Sequence, residues 1–148
     1  MKCAFDVEHY SRAWVGRPGV PKPTHNGTLI MPNGDILNYD LSQLDHTENS
    51  IYTKIKHSNK VGQLQQITMN KFCFLFSQID KKENIKLSPT VFDLGSFNFI
   101  GYKLLSNGIW KQIELGSWGD PTSLHPNPTA KFIINHLSAI IGKDIFFA

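Results

Sequence analysis

The chain has 148 residues, of which 41% are hydrophobic and only 18% are charged, and its formal net charge is +3. This length suits one domain spanning residues 1–148, which can bury a core without a metal or disulfide staple. The composition argues against disorder, and the mild basic excess without a run of Lys and Arg argues against a dedicated nucleic-acid domain.

The two cysteines and the first residues of the chain indicate in which cellular compartment the protein is located. Cys3 and Cys73 form no CxxC pair, and Cys73 lies in the apolar run 72–76, where we interpret it as a small core residue. We therefore expect no metal and no cofactor. The first residues lack an apolar signal-peptide core, and no stretch approaches the roughly 20 apolar residues of a membrane span. We expect a cytoplasmic protein that is not bound to a membrane.

The N-terminal half predicts strands. Residues 3–7 alternate between apolar and other side chains, as in a half-buried strand. Residues 11–27 are rich in Gly and Pro and predict a long ordered loop. Residues 28–31 and 35–39 then flank Asn33-Gly34, which predicts a hairpin with a primed turn. Residues 51–56 alternate again and predict another strand.

The C-terminal half predicts two helices and a second hairpin. Within residues 64–80, a helical stripe consists of Phe72, Leu75, Phe76 and Ile79, although a buried strand stays an alternative. Residues 97–104 and 109–115 form the hairpin, turned at 106–108, and a Pro-rich loop spans residues 116–128. Thr129 is the expected N-cap of the last helix. The expected inner stripe of that helix is Phe132 (or Ile133), His136, Leu137, Ile140 and Ile141. Gly142 is its expected C-cap, and we expect the apolar tail 144–147 to pack.

These elements predict an α+β domain. Strands joined by tight turns pair antiparallel, and two helices can cover one face of the resulting sheet.

Catalytic motifs are weak in this sequence. It contains no HExxH, G-x-S-x-G, GxGxxG or P-loop pattern. His25 and His125 each lie in a Pro-rich segment that we expect to be held rigid. Two such histidines could act as general base and general acid, which leaves a small metal-independent hydrolase or RNase as an alternative function.

Two loops have the composition of a binding surface. The first contains Arg12, Trp14, Arg17, Lys22 and His25, and the second contains Trp118 and Asp120. Trp and Arg dominate protein-interface hot spots. The same mixture also suits a single-stranded nucleic-acid site, with Trp14 stacked on a base, and this is the second alternative.

The segment from Asn26 to Leu37, with its Asn33-Gly34 turn, resembles the small immunity proteins of bacterial contact-dependent and polymorphic toxin systems. That resemblance implies a non-enzymatic protein that binds and neutralises one specific protein partner, such as a toxin domain. The net charge of +3 departs from the acidic character often found in partners of RNA-cleaving toxins. We expect a binding protein of the immunity or inhibitor type.

Overall fold

The computed structural model describes residues 2–11, 24–44, 50–87, 96–119 and 122–142. Within these residues the chain forms one eight-stranded antiparallel sheet and three helices. The strands are β1 Cys3–Ser11, β2 Thr24–Ile30, β3 Asp35–Asp40, β4 Ser58–Gln63, β5 Ile85–Lys86, β6 Ser96–Leu104, β7 Trp110–Trp118 and β8 Ser123–Leu124. The helices are α1 Ile51–Lys56, α2 Gln66–Ser77 and α3 Pro128–Ile140. The prediction of an α+β fold is confirmed.

The strands lie in the order β4-β3-β2-β1-β6-β7-β8-β5. β1 lies between β2 and β6, and helices cover both of its faces. Cys3, Phe5 and Val7 join the core cluster formed with α2 and α3, whereas Ala4 joins the cluster formed with α1. The expected alternation is present, but the expectation of a half-buried strand is wrong, because residues 3–8 are all buried.

Both hairpins use the same five-residue turn. At the first, the Gly34 amide donates to the Met31 carbonyl at 2.8 Å and the Met31 amide donates to the Asp35 carbonyl at 2.9 Å. Gly34 has φ of 90°, but Asn33 does not have a positive φ. The hairpin is therefore present as expected, but its turn is not of the primed type. The turn is a type I turn followed by a left-handed glycine, in which Pro32 occupies the position that favours proline.

Residues 51–56 are helical, which corrects the expected strand. The Ser50 side chain accepts from the Thr53 amide and caps the helix. Ile51 and Ile55, which alternate with polar residues, are also one helical turn apart, so the short segment satisfies both periods. The strand that follows, β4, was not predicted.

Helix α2 confirms the helix expected within residues 64–80 and excludes the buried-strand alternative. Helix α3 begins differently from the prediction, because Asn127 is the N-cap and Pro128 takes the first helical position. Its buried residues are Ala130, Ile133, Ile134, Leu137 and Ser138. Phe132 and His136 are exposed, so the expected inner stripe is wrong at these two positions. It is confirmed at the alternative Ile133 and at Leu137, and Ile140 and Ile141 are partly buried against the core. Gly142 follows the helix with φ of 72°, as a C-terminal glycine should.

Several loop predictions change in the structure. His25 lies in β2, and residues 116–118 belong to β7, so neither is in a loop.

Cys3 and Cys73 form a disulfide with their Cα atoms 5.6 Å apart, which was not predicted from the sequence. The expected tail 144–147 lies outside the described residues. No helix in the described part of the chain is long and apolar enough to cross a membrane.

Candidate functional site

A buried network of ionisable side chains lies between the sheet and α1. The Lys54 ammonium donates to Asp6 at 2.6 Å and to Glu8 at 2.8 Å. The Tyr39 hydroxyl donates to the second oxygen of Asp6 at 2.7 Å. The ring Nε2 of His25 donates to Glu8 at 2.8 Å, since an ionised carboxylate can only accept. Together these bonds tie three strands to α1.

The positions of these groups follow from the pleat of β1. Asp6 and Glu8 point to the same face because alternate strand residues do so, and the short helix α1, which packs on that face, supplies Lys54. Tyr39 reaches Asp6 across Gly27, where a Cβ would collide with the Tyr39 hydroxyl and the Val7 carbonyl. Glycine at position 27 is thus required by the network.

Burial and charge pairing set the protonation states. Burial raises the pKa of Asp6 to about 6, although Lys54 and Tyr39 act to lower it. Burial also acts to raise the pKa of Glu8, but hydrogen bonds from His25 and Lys54 outweigh it and lower that pKa to about 2. Burial acts to lower the pKa of Lys54, but the two carboxylates outweigh it and raise that pKa above its ordinary value. Lys54 is therefore a cation between two acids.

Strongly perturbed acids and bases often mark active sites. Here every one of these five side chains belongs to a residue that is at most 8% exposed. A substrate therefore has no access to Asp6 or Lys54 in this arrangement. What the network does is hold α1 on the sheet.

The two histidines proposed as a catalytic pair do not converge. His25 lies on the α1 face of β2, whereas His125 follows β8, and three strands separate β2 from β8. The Nε2 of His125 donates to the Asp80 carbonyl at 2.6 Å, and its Nδ1 accepts from the Asn127 amide at 3.0 Å. Both ring nitrogens of His125 are thus engaged in linking the end of α2 to the start of α3. The two rings cannot act on one bond.

Of the remaining residues predicted to bind a partner, the structure describes only Trp118. Trp118 is half-buried at the end of β7 and packs against the core cluster beneath α2 and α3. Arg12, Trp14, Arg17, Lys22 and Asp120 lie outside the described residues. The hypothesis that two loops form the interface therefore stays a prediction, and so does the single-stranded nucleic-acid alternative.

An apolar groove runs between α2 and α3 on the side facing away from the sheet. Its volume is about 560 Å³. The prominent apolar side chains along it are Ile67, Phe74 and Phe132, with exposed fractions of 61%, 66% and 49%. Phe72, which is almost fully buried, also lines the groove and connects it to the core. Large exposed apolar side chains that adjoin one another mark interaction surfaces, whereas isolated ones are ordinary.

Polar side chains also line the groove, and among them are His136 and Lys71. His136 packs its ring on Phe132, with centroids 4.0 Å apart, and its Nδ1 donates to the Phe132 carbonyl at 2.9 Å. Lys71 lines the groove from α2. We call the set Ile67, Lys71, Phe74, Phe132 and His136 the α2–α3 surface.

Among the described residues there is no cluster of three or more His, Cys, Asp or Glu side chains that could hold a metal ion. The sequence matches no family model, and comparison with the curated proteins gives no match.

The α2–α3 surface was not predicted from the sequence, although the sequence contains a signal for it. The run Phe72-Cys73-Phe74-Leu75-Phe76 places five apolar residues in succession. In a helix they cannot all face one side, because successive residues turn by about 100°. One of them had to face solvent, and in the structure it is Phe74.

Proposed function

We propose that this chain is a non-enzymatic binding protein of the inhibitor or immunity type, which recognises a partner protein through the α2–α3 surface. The observation that carries the proposal is the exposure of Ile67, Phe74 and Phe132 along one groove. Neutralisation of a toxin domain is the specific role that we propose for this binding, in line with the resemblance of residues 26–37.

The energetics favour this surface as an interface. Burying an apolar side chain of this size contributes roughly 1.5–3 kcal/mol, and three of them line this groove. The position of α3 is fixed by its packing on the sheet, because its residues Ile133, Ile134 and Leu137 are buried in the core. A partner would therefore meet a preorganised surface, which reduces the entropy lost on binding.

The test uses two matched isoleucines. Ile67 is 61% exposed on the α2–α3 surface, and Ile109 is 59% exposed at the turn between β6 and β7. Wild type, Ile67→Glu and Ile109→Glu are each used to capture partners from the source cell, and the captured protein is then purified for affinity measurements. We expect Ile67→Glu to weaken binding at least tenfold, since a hot spot contributes about 2 kcal/mol or more. Ile109→Glu should leave the affinity unchanged.

Two outcomes would overturn the proposal. Equal binding by Ile67→Glu would place the interface elsewhere, and lost binding by Ile109→Glu alone would move it to the opposite face of the sheet. The neutralising role has its own readout. Cells that produce the captured protein should grow when wild type is co-expressed and fail to grow with Ile67→Glu, while both variants keep the wild-type melting temperature.

A further inference from the structure

We infer that the partner element seated on the α2–α3 surface is an amphipathic helix with an acidic polar face. This inference rests on the proposed function and names the chemistry of the partner at the same site. Three features carry it: the shape of the groove, the position of its anchors and the charge of its walls.

The groove has the shape that a helix fills. It is bounded by two helices, and α2, with 12 residues, is about 18 Å long at 1.5 Å per residue. A third helix laid along two others packs at about 8–10 Å between axes, with its side chains in the groove between them. Helices that bind in this way present apolar residues at i, i+3 or i+4, and i+7.

The anchors on the chain itself follow the same spacing. Ile67, Lys71 and Phe74 lie at i, i+4 and i+7 of α2, so they form one outward stripe along the helix. Phe132 and His136 are one turn apart on α3 and face them across the groove. The groove is thus lined over about two turns of α2 and one turn of α3, which suits a rod-like element better than a single inserted side chain.

The charge of the two helices selects the partner further. Lys71 lines the groove, and residues 66–77 and 128–140 contain no Asp or Glu. A partner helix with Glu or Asp along the edges of its apolar stripe would be attracted to these walls, and a basic one would be repelled. A second copy of this chain fits less well, because a symmetric pairing would bring the same basic helices together.

The test uses three synthetic peptides of 20 residues with Leu at the same helical spacing. The first has Glu on its polar face, the second has Lys there, and the third is the Glu peptide with two central prolines that prevent a helix. Binding to the full-length chain is measured by titration calorimetry, and the contact site is mapped by amide NMR shifts. We expect the Glu peptide to bind and to perturb α2 and α3. The Lys and Pro peptides should bind at least tenfold more weakly, or not at all.

Variants of the chain test each part of the inference. Ile67→Glu should weaken the Glu peptide at least tenfold, and Ile109→Glu should not. Lys71→Glu should weaken the Glu peptide a few-fold and strengthen the Lys peptide, since an exposed ion pair contributes about 0.2–1 kcal/mol. If the Pro peptide binds as tightly as the Glu peptide, the partner element is not a helix. If the Lys peptide binds as tightly as the Glu peptide, the polar face of the partner need not be acidic.

The two proposals fail in different ways. If no peptide binds but the natural partner still depends on Ile67, the helical partner is refuted and the proposed function stands. If the chain instead forms a dimer that Ile67→Glu dissociates in sedimentation velocity, a second copy occupies the groove and the inference is refuted. If the natural partner binds independently of Ile67, the proposed function itself falls.

Discussion

At the scale of single residues, Asp6 is a carboxyl group whose pKa burial raises. It is fully buried beside Lys54, yet its pKa lies near 6 because the loss of hydration outweighs the attraction of the lysine. Removing one partner from a buried ion pair is strongly destabilising, whereas replacing the whole pair is often tolerated. Lys54 is thus present because Asp6 and Glu8 require a cation, and α1 is held in place as a result.

This environment predicts an unusual dependence of stability on pH. The pKa of Asp6 is about 6 in the folded chain and 3.8 for the ordinary group, so the folded state binds the proton more tightly. The free energy of unfolding should therefore rise, by up to about 3 kcal/mol from this group, as the pH falls from about 7 to 4. The pKa of Glu8 is lowered from 4.5 to about 2, so Glu8 has the opposite effect on stability. The stabilisation that ionised Glu8 gives to the folded chain should be lost as the pH falls from about 4.5 to 2.

The measurement compares urea unfolding of wild type and Asp6→Asn at several pH values. The variant should lack the gain between pH 7 and 4 and keep the loss below pH 4.5. Asp40→Asn is the control, because Asp40 is exposed and its pKa is lowered by hydrogen bonds from Ser42. Parallel stability curves for wild type and Asp6→Asn between pH 7 and 4 would contradict the assignment.

At the scale of elements, the two hairpins use one turn in different surroundings. The turn from Leu105 to Ile109 repeats the hydrogen bonds of the turn from Met31 to Asp35. Gly108, with φ of 81°, has open space around its Cα, whereas a Cβ on Gly34 would collide with the Leu64 carbonyl. Gly34 also accepts a hydrogen bond from the Leu64 amide at 2.8 Å. The first turn is therefore packed against the entry to α2, and the second is free of such packing.

Alanine at each glycine separates backbone strain from steric contact. Gly108→Ala should cost about 1–2 kcal/mol, the strain of a left-handed non-glycine residue. Gly34→Ala should carry the same strain and, in addition, about 1–3 kcal/mol for the collision with Leu64. Chemical denaturation of both variants measures the difference. Equal losses would mean that the first turn does not pack on the segment before α2.

At the scale of the whole molecule, the disulfide joins the central strand to the helix layer. Cys3 and Cys73 are separated by 70 residues, and both belong to the core cluster with Phe5 and Phe76. Such a link limits the unfolded chain and so favours the folded one. Disulfides persist in oxidising compartments and are rare in the cytosol, so the expected cytoplasmic location stays a prediction that counting free thiols in protein from the source cell would test.

Reduction provides the corresponding stability prediction. For a loop of this length the cross-link contributes roughly 4 kcal/mol on chain-entropy grounds. Unfolding in guanidinium should therefore shift to lower denaturant when a reductant is added. The double variant Cys3→Ser with Cys73→Ser should unfold at low denaturant whether or not the reductant is present. A wild-type midpoint that does not respond to reductant would show that the cross-link adds nothing.

The sequence by itself determined the α+β class, both hairpins, the existence of α2 and α3, and the alternation of β1, because local period and turn chemistry dictate these features. It could not decide the state of residues 51–56, where six residues satisfy strand and helix periods alike. It also could not reveal that Lys54 meets Asp6 and Glu8, since Lys54 is 48 and 46 residues from these acids and only the docking of α1 on the sheet brings them together. The α2–α3 surface depends on tertiary structure for the same reason. Phe74 and Phe132 lie in different helices, and only the packing of both helices on one face of the sheet makes them neighbours across a groove.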